Sequence, residues 1–445
     1  MRFFRSLKKT LEAWARGTGF IQRARTLNAY DFLVLMTVGQ AGMKHPSLAG
    51  MVDAIAIAMS REAMHVRFTQ KAEAYLETCL KYALKQRIDG ASPLQAELLD
   101  PFKRVLIFDS SSWDVDPRLA DVLPGSGGGA SAANCKLQAS YEYKQGELGL
   151  FRIDPGTRPD NAYTTQLPFL LQSGDLALFD QGYFKLETLS QIDKKGAFFL
   201  TRFLVKTTLR DGETSAPIDL EDVLYQLPGN TYQFQVIMGG HGGKEEVRCR
   251  LICLRVSEQV ANERRRRLLK AAKKKGRTPS KTHLALCDWT LLVTNAPEAY
   301  LPAEMAWPLY TLRWQIELLF KQLKSVLSIH RSHTKNVSRL KCEIYGKLIL
   351  AVLINRVHAH INNQLWNQAH RELSFDKFYK RIQERAFTLL SLLLLSVHKA
   401  ALYLSDEIDR LVKNCLKLQQ RSRQTTLEIL EGATAHSVGK LRAAA

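Results

Sequence analysis

The stretch from Tyr310 to Lys324, Y-T-L-R-W-Q-I-E-L-L-F-K-Q-L-K, holds the side-chain types that could do chemistry, at a spacing that would bring them together. Read as one helix at about 100° per residue, it places Tyr310, Arg313, Glu317 and Lys324 within an arc of roughly 60°. Such a face offers a carboxylate among cations. The carboxylate can hold a hard divalent metal, the cations can grip phosphates, and the tyrosine can hydrogen-bond to either. The same spacing also suits a solvated amphipathic helix in which Arg313 and Glu317 form an i,i+4 pair.

Two earlier aspartates favour the first reading. Each follows an apolar run that reads as a buried strand: Val105-Leu106-Ile107-Phe108 before Asp109, and Leu176-Ala177-Leu178-Phe179 before Asp180. Carboxylates at strand ends of an α/β sheet commonly line the site. With these residues the chain resembles the DDE transposases of bacterial insertion sequences, in the branch that carries a Tyr-x2-Arg-x3-Glu-x6-Lys motif. The spacing from Tyr310 to Lys324 fits that motif without a gap. Two more blocks carry the resemblance: F-D-Q-G-Y-F at Phe179 to Phe184, and W-T-L-L-V-T-N-A-P at Trp289 to Pro297. Together they frame Asp109 to Lys324.

The resemblance implies phosphoryl transfer on DNA, with Asp109, Asp180 and Glu317 as catalytic residues and metal ligands. Two divalent ions about 4 Å apart would activate a water or 3′-hydroxyl and stabilise the leaving oxygen. The all-oxygen ligand set favours Mg²⁺, with Mn²⁺ as a substitute. Arg313 and Lys324 would clamp phosphates near the scissile bond, with Tyr310 positioning one of them. Trp289 is either a core residue or a platform on which an unstacked base rests near the cleaved end. Three carboxylates compete for ligand roles. Asp114 and Asp116 are discounted because each is read as following a loop with no strand behind it, and Asp175 because it opens the strand that Asp180 closes. The expected partners are double-stranded DNA, as terminal inverted repeats and target, and a second copy of the chain in a homodimeric DNA complex.

Composition agrees with this. A chain of 445 residues with 46% apolar content can build two or three domains with large cores. Its 63 Lys and Arg against 43 Asp and Glu leave a net charge of +20, which implies a polyanionic partner. The seven cysteines show no C-x2-C pair and no zinc spacing, and read as reduced, buried thiols. The basic N-terminus lacks the apolar run of a secretory signal. The longest apolar stretch, Phe387 to Val397, is too short to span a bilayer and reads as a core helix. The expected location is the bacterial cytoplasm, on the nucleoid when DNA is bound, with no membrane partner.

The elements that must position these residues follow along the chain. Residues 1–98 are helical in pattern and form a candidate DNA-binding domain. Within them, Gly42-Met43-Lys44-His45-Pro46 is a break, and Ser60 reads as the N-cap of a second helix bearing His65, Arg67 and Gln70. The pair would be a helix-turn-helix or an ordinary helical hairpin. Residues 99–206 and 286–370 form the two parts of the core, with strands at Leu137 to Tyr143, Leu148 to Ile153, Leu176 to Phe179 and Ala197 to Phe203. Pro124-Gly125-Ser126-Gly127-Gly128-Gly129 is a flexible loop without the G-K-[ST] of a phosphate-binding loop.

Residues 207–285 read as a β-rich insertion, because the interval from Asp180 to Glu317 far exceeds a simple connection. Strands at Tyr232 to Met238 and Val247 to Val256 would be joined by the turn Gly239-Gly240-His241-Gly242-Gly243. A basic segment follows, Asn262 to Lys281, with ten basic residues against one acidic. It reads as a solvated helix or as a DNA-backbone contact through Arg264, Arg265, Arg266, Arg267, Lys273, Lys274 and Lys275. Residues 371–445 carry three helices, Phe375 to Arg385, Phe387 to Leu404 and Glu407 to Gln419. The fold class is thus an α/β ribonuclease-H-like catalytic core with a β-rich insertion, flanked by helical N- and C-terminal regions. A ribonuclease-H-like nuclease or resolvase, and a non-catalytic DNA-binding protein derived from a transposase, are the other readings. Loss of an acidic ligand would mark the last, and none is lost.

Overall fold

The computed structural model describes residues 2–23, 26–43, 47–55, 58–88, 91–127, 131–240, 245–418 and 425–431. The chain divides into two compact units. The first comprises Met1–Gln95, Ser110–Arg158 and Gln315–Gln419, the second Ala96–Asp109, Pro159–Trp314 and Gln420–Ala445.

Among the described residues nine strands occur in chain order: β1 (Val105–Asp114), β2 (Asn134–Glu142), β3 (Glu147–Pro155), β4 (Leu176–Leu178), β5 (Phe198–Arg202), β6 (Leu209–Asp211), β7 (Thr231–Gly239), β8 (Glu246–Arg255) and β9 (Trp289–Thr294). In the second unit, β1, β4 and β5 are parallel neighbours. Beyond β5 the pairing turns antiparallel, through β9, β8, β7 and β6. The apolar runs of β1 and β4 are buried throughout, as expected of parallel strands covered on both faces. β1 loses that burial at Asp109, where polar residues begin, yet it continues to Asp114. Asp114 therefore ends a strand and does not follow a loop, contrary to the expectation. Its carboxylate accepts from the Asn134 side chain at 2.9 Å.

The strands expected at residues 232–238 and 247–256 are β7 and β8, and β8 pairs along β9. Part of the turn between them, His241 to Gly243, lies outside the described residues, as do Gly128 and Gly129 of the glycine-rich loop and Lys44 to Pro46 of the N-terminal break.

The first unit is built on the 33-residue helix Val337–Ala369. Leu340, Ile344, Leu348, Ile349, Ala351 and Val352 of this helix are all buried, so it is apolar on more than one face, as a central helix must be. It packs on the helix Gln70–Lys85 and on the Leu35–Gly39 segment, and at Gly346 any Cβ would collide with the Met36 carbonyl. The β2–β3 turn docks on the same helix, where Asn363 donates to the Lys144 carbonyl at 3.1 Å.

Two helical expectations change. Ser60 does cap a helix, accepting from the Ala63 amide, but that helix ends at His65 after five residues, and Thr69 caps the next one, Gln70–Lys85. One turn and a half is too short for a recognition helix, so the expected helix-turn-helix does not form. In the C-terminal region Phe375–Glu384 is a helix as expected, but the boundary between the next two falls at Ser396, which is extended and caps Val397–Cys415. The apolar stretch is only partly core: Leu389 and Leu390 are buried, whereas Phe387 and Leu395 are exposed.

His358 of the central helix sits between Phe375 and Phe378, with Nε2 3.3 Å from the Leu373 carbonyl. Burial pushes its pKa down to about 4. Between that value and the ordinary one near 6.5 the unfolded chain binds a proton that the folded chain refuses, so stability rises with pH across this window. Denaturant melts should show stability falling as pH drops from 6.5 towards 4, with a shallower fall in His358→Phe. An identical slope in both proteins would contradict the assignment.

Candidate active site

Register creates the site in the second unit. Val105, Leu106 and Ile107 of β1 lie opposite Leu176, Ala177 and Leu178 of β4. Asp109 and Asp180 each lie two residues beyond the paired Ile107 and Leu178, Asp109 still within β1 and Asp180 past the end of β4. Neighbouring strands lie about 4.8 Å apart, and side chains at paired positions leave the same face of the sheet. β4 pairs with β5 up to Leu178 and Leu200, and Arg202 ends β5.

Each aspartate is further fixed. Asp180 caps the short turn Gln181–Tyr183 by accepting the Gly182 amide at 2.9 Å. An added Cβ at Gly182 would lie 3.0 Å from the Asp180 Oδ1 and 3.5 Å from Oδ2 of Asp160, which explains glycine in the F-D-Q-G-Y-F block. Asp109 accepts from Arg313, with Nη1 3.0 Å from Oδ2 and side chains 13% and 15% exposed. Tyr310 is buried, and burial raises its hydroxyl pKa, opposed by Arg313 and Arg202 and supported by Asp180. The tyrosine therefore stays protonated and able to donate. Arg202 lies over the rings of Trp307 and Tyr310, at 5.6 and 5.9 Å.

The stretch from Tyr310 to Lys324 is not one helix. Ala306–Thr311 and Trp314–Ser325 are separate helices, broken at Leu312 and Arg313. Tyr310 ends the first, Arg313 lies in the break, and only Glu317 and Lys324 share a helix. Seven residues apart, those two occupy one face. In the first unit Glu317 is exposed, while Lys324 donates to the Ser112 carbonyl of β1 at 3.0 Å and lies 5.9 Å from the Trp113 ring. Burial lowers the Lys324 pKa.

The competing carboxylates are otherwise engaged. Asp175 is fully buried against Arg104 and accepts the Gln172 amide. Asp116 pairs with Arg118, whose hydrogen bonds hold its carboxyl down at about 2.

The family model described as "Transposase DDE domain" matches residues 100–353. The chain belongs to the DDE transposase family. It is 30% identical over 445 residues to the transposase of insertion sequence IS231C from Bacillus thuringiensis subsp. berliner, covering 94% of this chain and 92% of that one. Identity to the IS231B transposase of the same organism is 29%, and to the IS1151 transposase of Clostridium perfringens 26%, each with the same coverage. The fold aligns with a piggyBac transposase synaptic complex with hairpin DNA at a TM-score of 0.43 and 12% identity, over 94% of this chain and 85% of that one. Membership of the DDE family, with insertion-sequence transposases as full-length relatives, makes this transposase an enzyme that cleaves DNA and transfers strands with a divalent metal.

Other expected DNA contacts of the transposase are more dispersed. Trp289 opens β9 at 5% exposure, with the Arg255 guanidinium 4.5 Å from its ring and Tyr232 at its edge. That leaves no open face for a base, so the geometry supports its core role. The basic segment is largely the helix Glu258–Lys274. Its first arginines have protein partners: Arg264 donates to the Trp289 carbonyl and the Thr290 hydroxyl, Arg265 pairs with Asp288, and Arg267 with Glu263. Arg266, Lys273, Lys274 and Lys275 are exposed. Asn295, from the W-T-L-L-V-T-N-A-P block, ties β9 to β5 by accepting the Phe199 amide and donating to the Ala197 carbonyl. No helix is long and apolar enough to cross a membrane among the described residues.

Sequence reasoning missed Arg202, because a lone arginine at a strand end carries no signal until the pairing is known. Arg202 is exposed and lies over the Tyr310 ring, whose hydroxyl also senses Asp180 and Arg313, where a phosphate would sit. Arg202→Ala should cost at most about 1 kcal/mol of stability, the scale of an exposed cation–π contact. DNA affinity should fall at every sequence, with the salt slope smaller by about 1. A salt slope equal to wild type would show that Arg202 touches no phosphate.

Proposed function

We propose that Asp109, Asp180 and Glu317 are the catalytic triad of a cut-and-paste transposase, acting on the terminal inverted repeats of its insertion sequence and on target DNA. The grouping of Asp109, held by Arg313, with Tyr310, whose hydroxyl senses Arg313, Arg202 and Asp180, is the observation that carries this reading. Among the described residues no three acidic, histidine or cysteine side chains converge as a ready-made metal cage. Two carboxylates nevertheless suit Mg²⁺, which is commonly held by one or two carboxylates together with substrate phosphates. Mn²⁺ would substitute. When bound, the ions supply an activated nucleophile and charge stabilisation at the leaving oxygen.

The protein's own groups do the rest. Arg313 and Lys324 hold phosphates flanking the scissile bond, and protonated Tyr310 donates a hydrogen bond to one. The exposed part of the basic helix, Arg266 and Lys273 to Lys275, adds backbone contacts that weaken steeply with salt.

Parallel β1, β4 and β5 continued by antiparallel β9 in the second unit, and the antiparallel pair β2 and β3 in the first, support a ribonuclease-H-like core. On this reading residues 99–206 and 286–370 are the core, 207–285 the insertion, 1–98 the repeat-binding region and 371–445 a helical region used in a homodimeric DNA complex, formed in the bacterial cytoplasm. Without a helix-turn-helix, the N-terminal region would meet DNA through a cavity of about 710 Å³ in the first unit. Arg61 and Arg331 line it, together with Glu62 and the ion pair of Arg339 with Glu343.

A labelled duplex carrying the element's own terminal repeat, incubated with Mg²⁺, tests the assignment. Glu317→Gln should bind the duplex as wild type does and leave it uncut. Nicking by that variant at the wild-type rate would overturn the triad, and wild-type cutting indifferent to sequence would favour a general nuclease.

A further inference from the structure

We infer that Arg313 holds Asp109 in place of a metal ion until a DNA phosphate draws it away, so that docking of a DNA end and binding of metal assist one another. This rests on the reading that Asp109 and Asp180 are metal ligands. A carboxylate largely withdrawn from water needs a cation or a proton beside it. Arg313 supplies the cation, with Nη1 3.0 Å from Oδ2 of Asp109 and both side chains largely withdrawn from water. An arginine does not lose its proton at any physiological pH, so the competition with a metal cannot be relieved by titration. It can be relieved only by moving the guanidinium.

The surroundings permit that movement and supply a destination. Arg313 lies in the break between the helices Ala306–Thr311 and Trp314–Ser325, with its amide bonded to the Tyr310 carbonyl at 3.1 Å. Its side chain already lies close enough to Tyr310 to lower the hydroxyl pKa by charge and hydrogen bonding. A phosphate held there would offer the guanidinium a bidentate partner of the same charge as Asp109. Once it is engaged, the Asp109 oxygen is open to a metal and one competing positive charge is gone. By linkage the effect is reciprocal: DNA raises metal affinity by the factor by which metal raises DNA affinity. A transposase built this way loads metal when an end is in place.

The test is Mn²⁺ binding to the full-length protein, followed by electron paramagnetic resonance, with and without a terminal-repeat duplex that already ends at the repeat boundary. In the wild type the duplex should tighten Mn²⁺ binding on the order of tenfold. Arg313→Gln should bind Mn²⁺ about tenfold more tightly than wild type without DNA and gain nothing further from the duplex. Arg313→Lys, which keeps a cation against Asp109, should behave as wild type. Equal or weaker Mn²⁺ binding by Arg313→Gln would overturn the inference. Should that variant fail to give a cooperative melt, the absence of any tightening by the duplex in the wild type would overturn it equally. If Asp109→Ala leaves Mn²⁺ binding unchanged, the metal-ligand reading itself fails.

Discussion

The parallel one-to-one register of β1, β4 and β5 is the constraint on which the site depends. A slip of a single residue in a sheet sends every side chain to the opposite face. Here it would turn the strand residues Asp109 and Arg202 to the opposite face. Packing holds the register: Val105, Ile107, Phe108, Leu176, Ala177, Leu178, Phe179, Phe199 and Leu200 are each fully buried. Any shift would leave their volumes mismatched in a close-packed interior. The acidic residues do not build this geometry. They occupy positions just beyond the buried runs, where the strands become polar.

Electrostatics then divide the labour. A net charge of +20 draws a polyanion to the surface from a distance. At the centre lie carboxylates, which repel the phosphates the surface attracts. A divalent cation reconciles the two, since it can be shared between carboxylate and phosphate oxygens. Arg313 and Arg202 are fixed cations in the same neighbourhood, and burial keeps Tyr310 neutral beside them. Asp175 and Asp116 show the opposite use of a carboxylate, each taken up by one arginine and local amides.

Much of this was legible from local pattern. Buried strands announce themselves as apolar runs, so β1 to β5, β7 and β8 begin within a few residues of expectation, and Asp109 and Asp180 stand out as acids after such runs. Pairing was not legible, because the partner of β1 lies far along the chain and nothing local encodes the offset. The place of Arg202 over Tyr310 follows only from the folded structure. The helix break at Leu312 and Arg313 was hidden too. No glycine or proline marks it, and Arg313 at the break is tied to a strand distant in sequence. Trp289, the short helix at Arg61–His65 and the cap at Ser396 are similar: burial and tertiary packing decided what propensity left open.

Asp109 and Asp180 can be tested as metal ligands by replacing the divalent ion with Fe²⁺ and generating hydroxyl radicals with ascorbate and peroxide. The backbone is then cut beside bound iron, and the cut sites can be read by mass spectrometry. Cuts clustered around residues 109 and 180 in the wild type, lost when both aspartates are changed to alanine, are expected. Cuts elsewhere, or a cleavage pattern unaltered by the double substitution, would contradict a metal site built on this register.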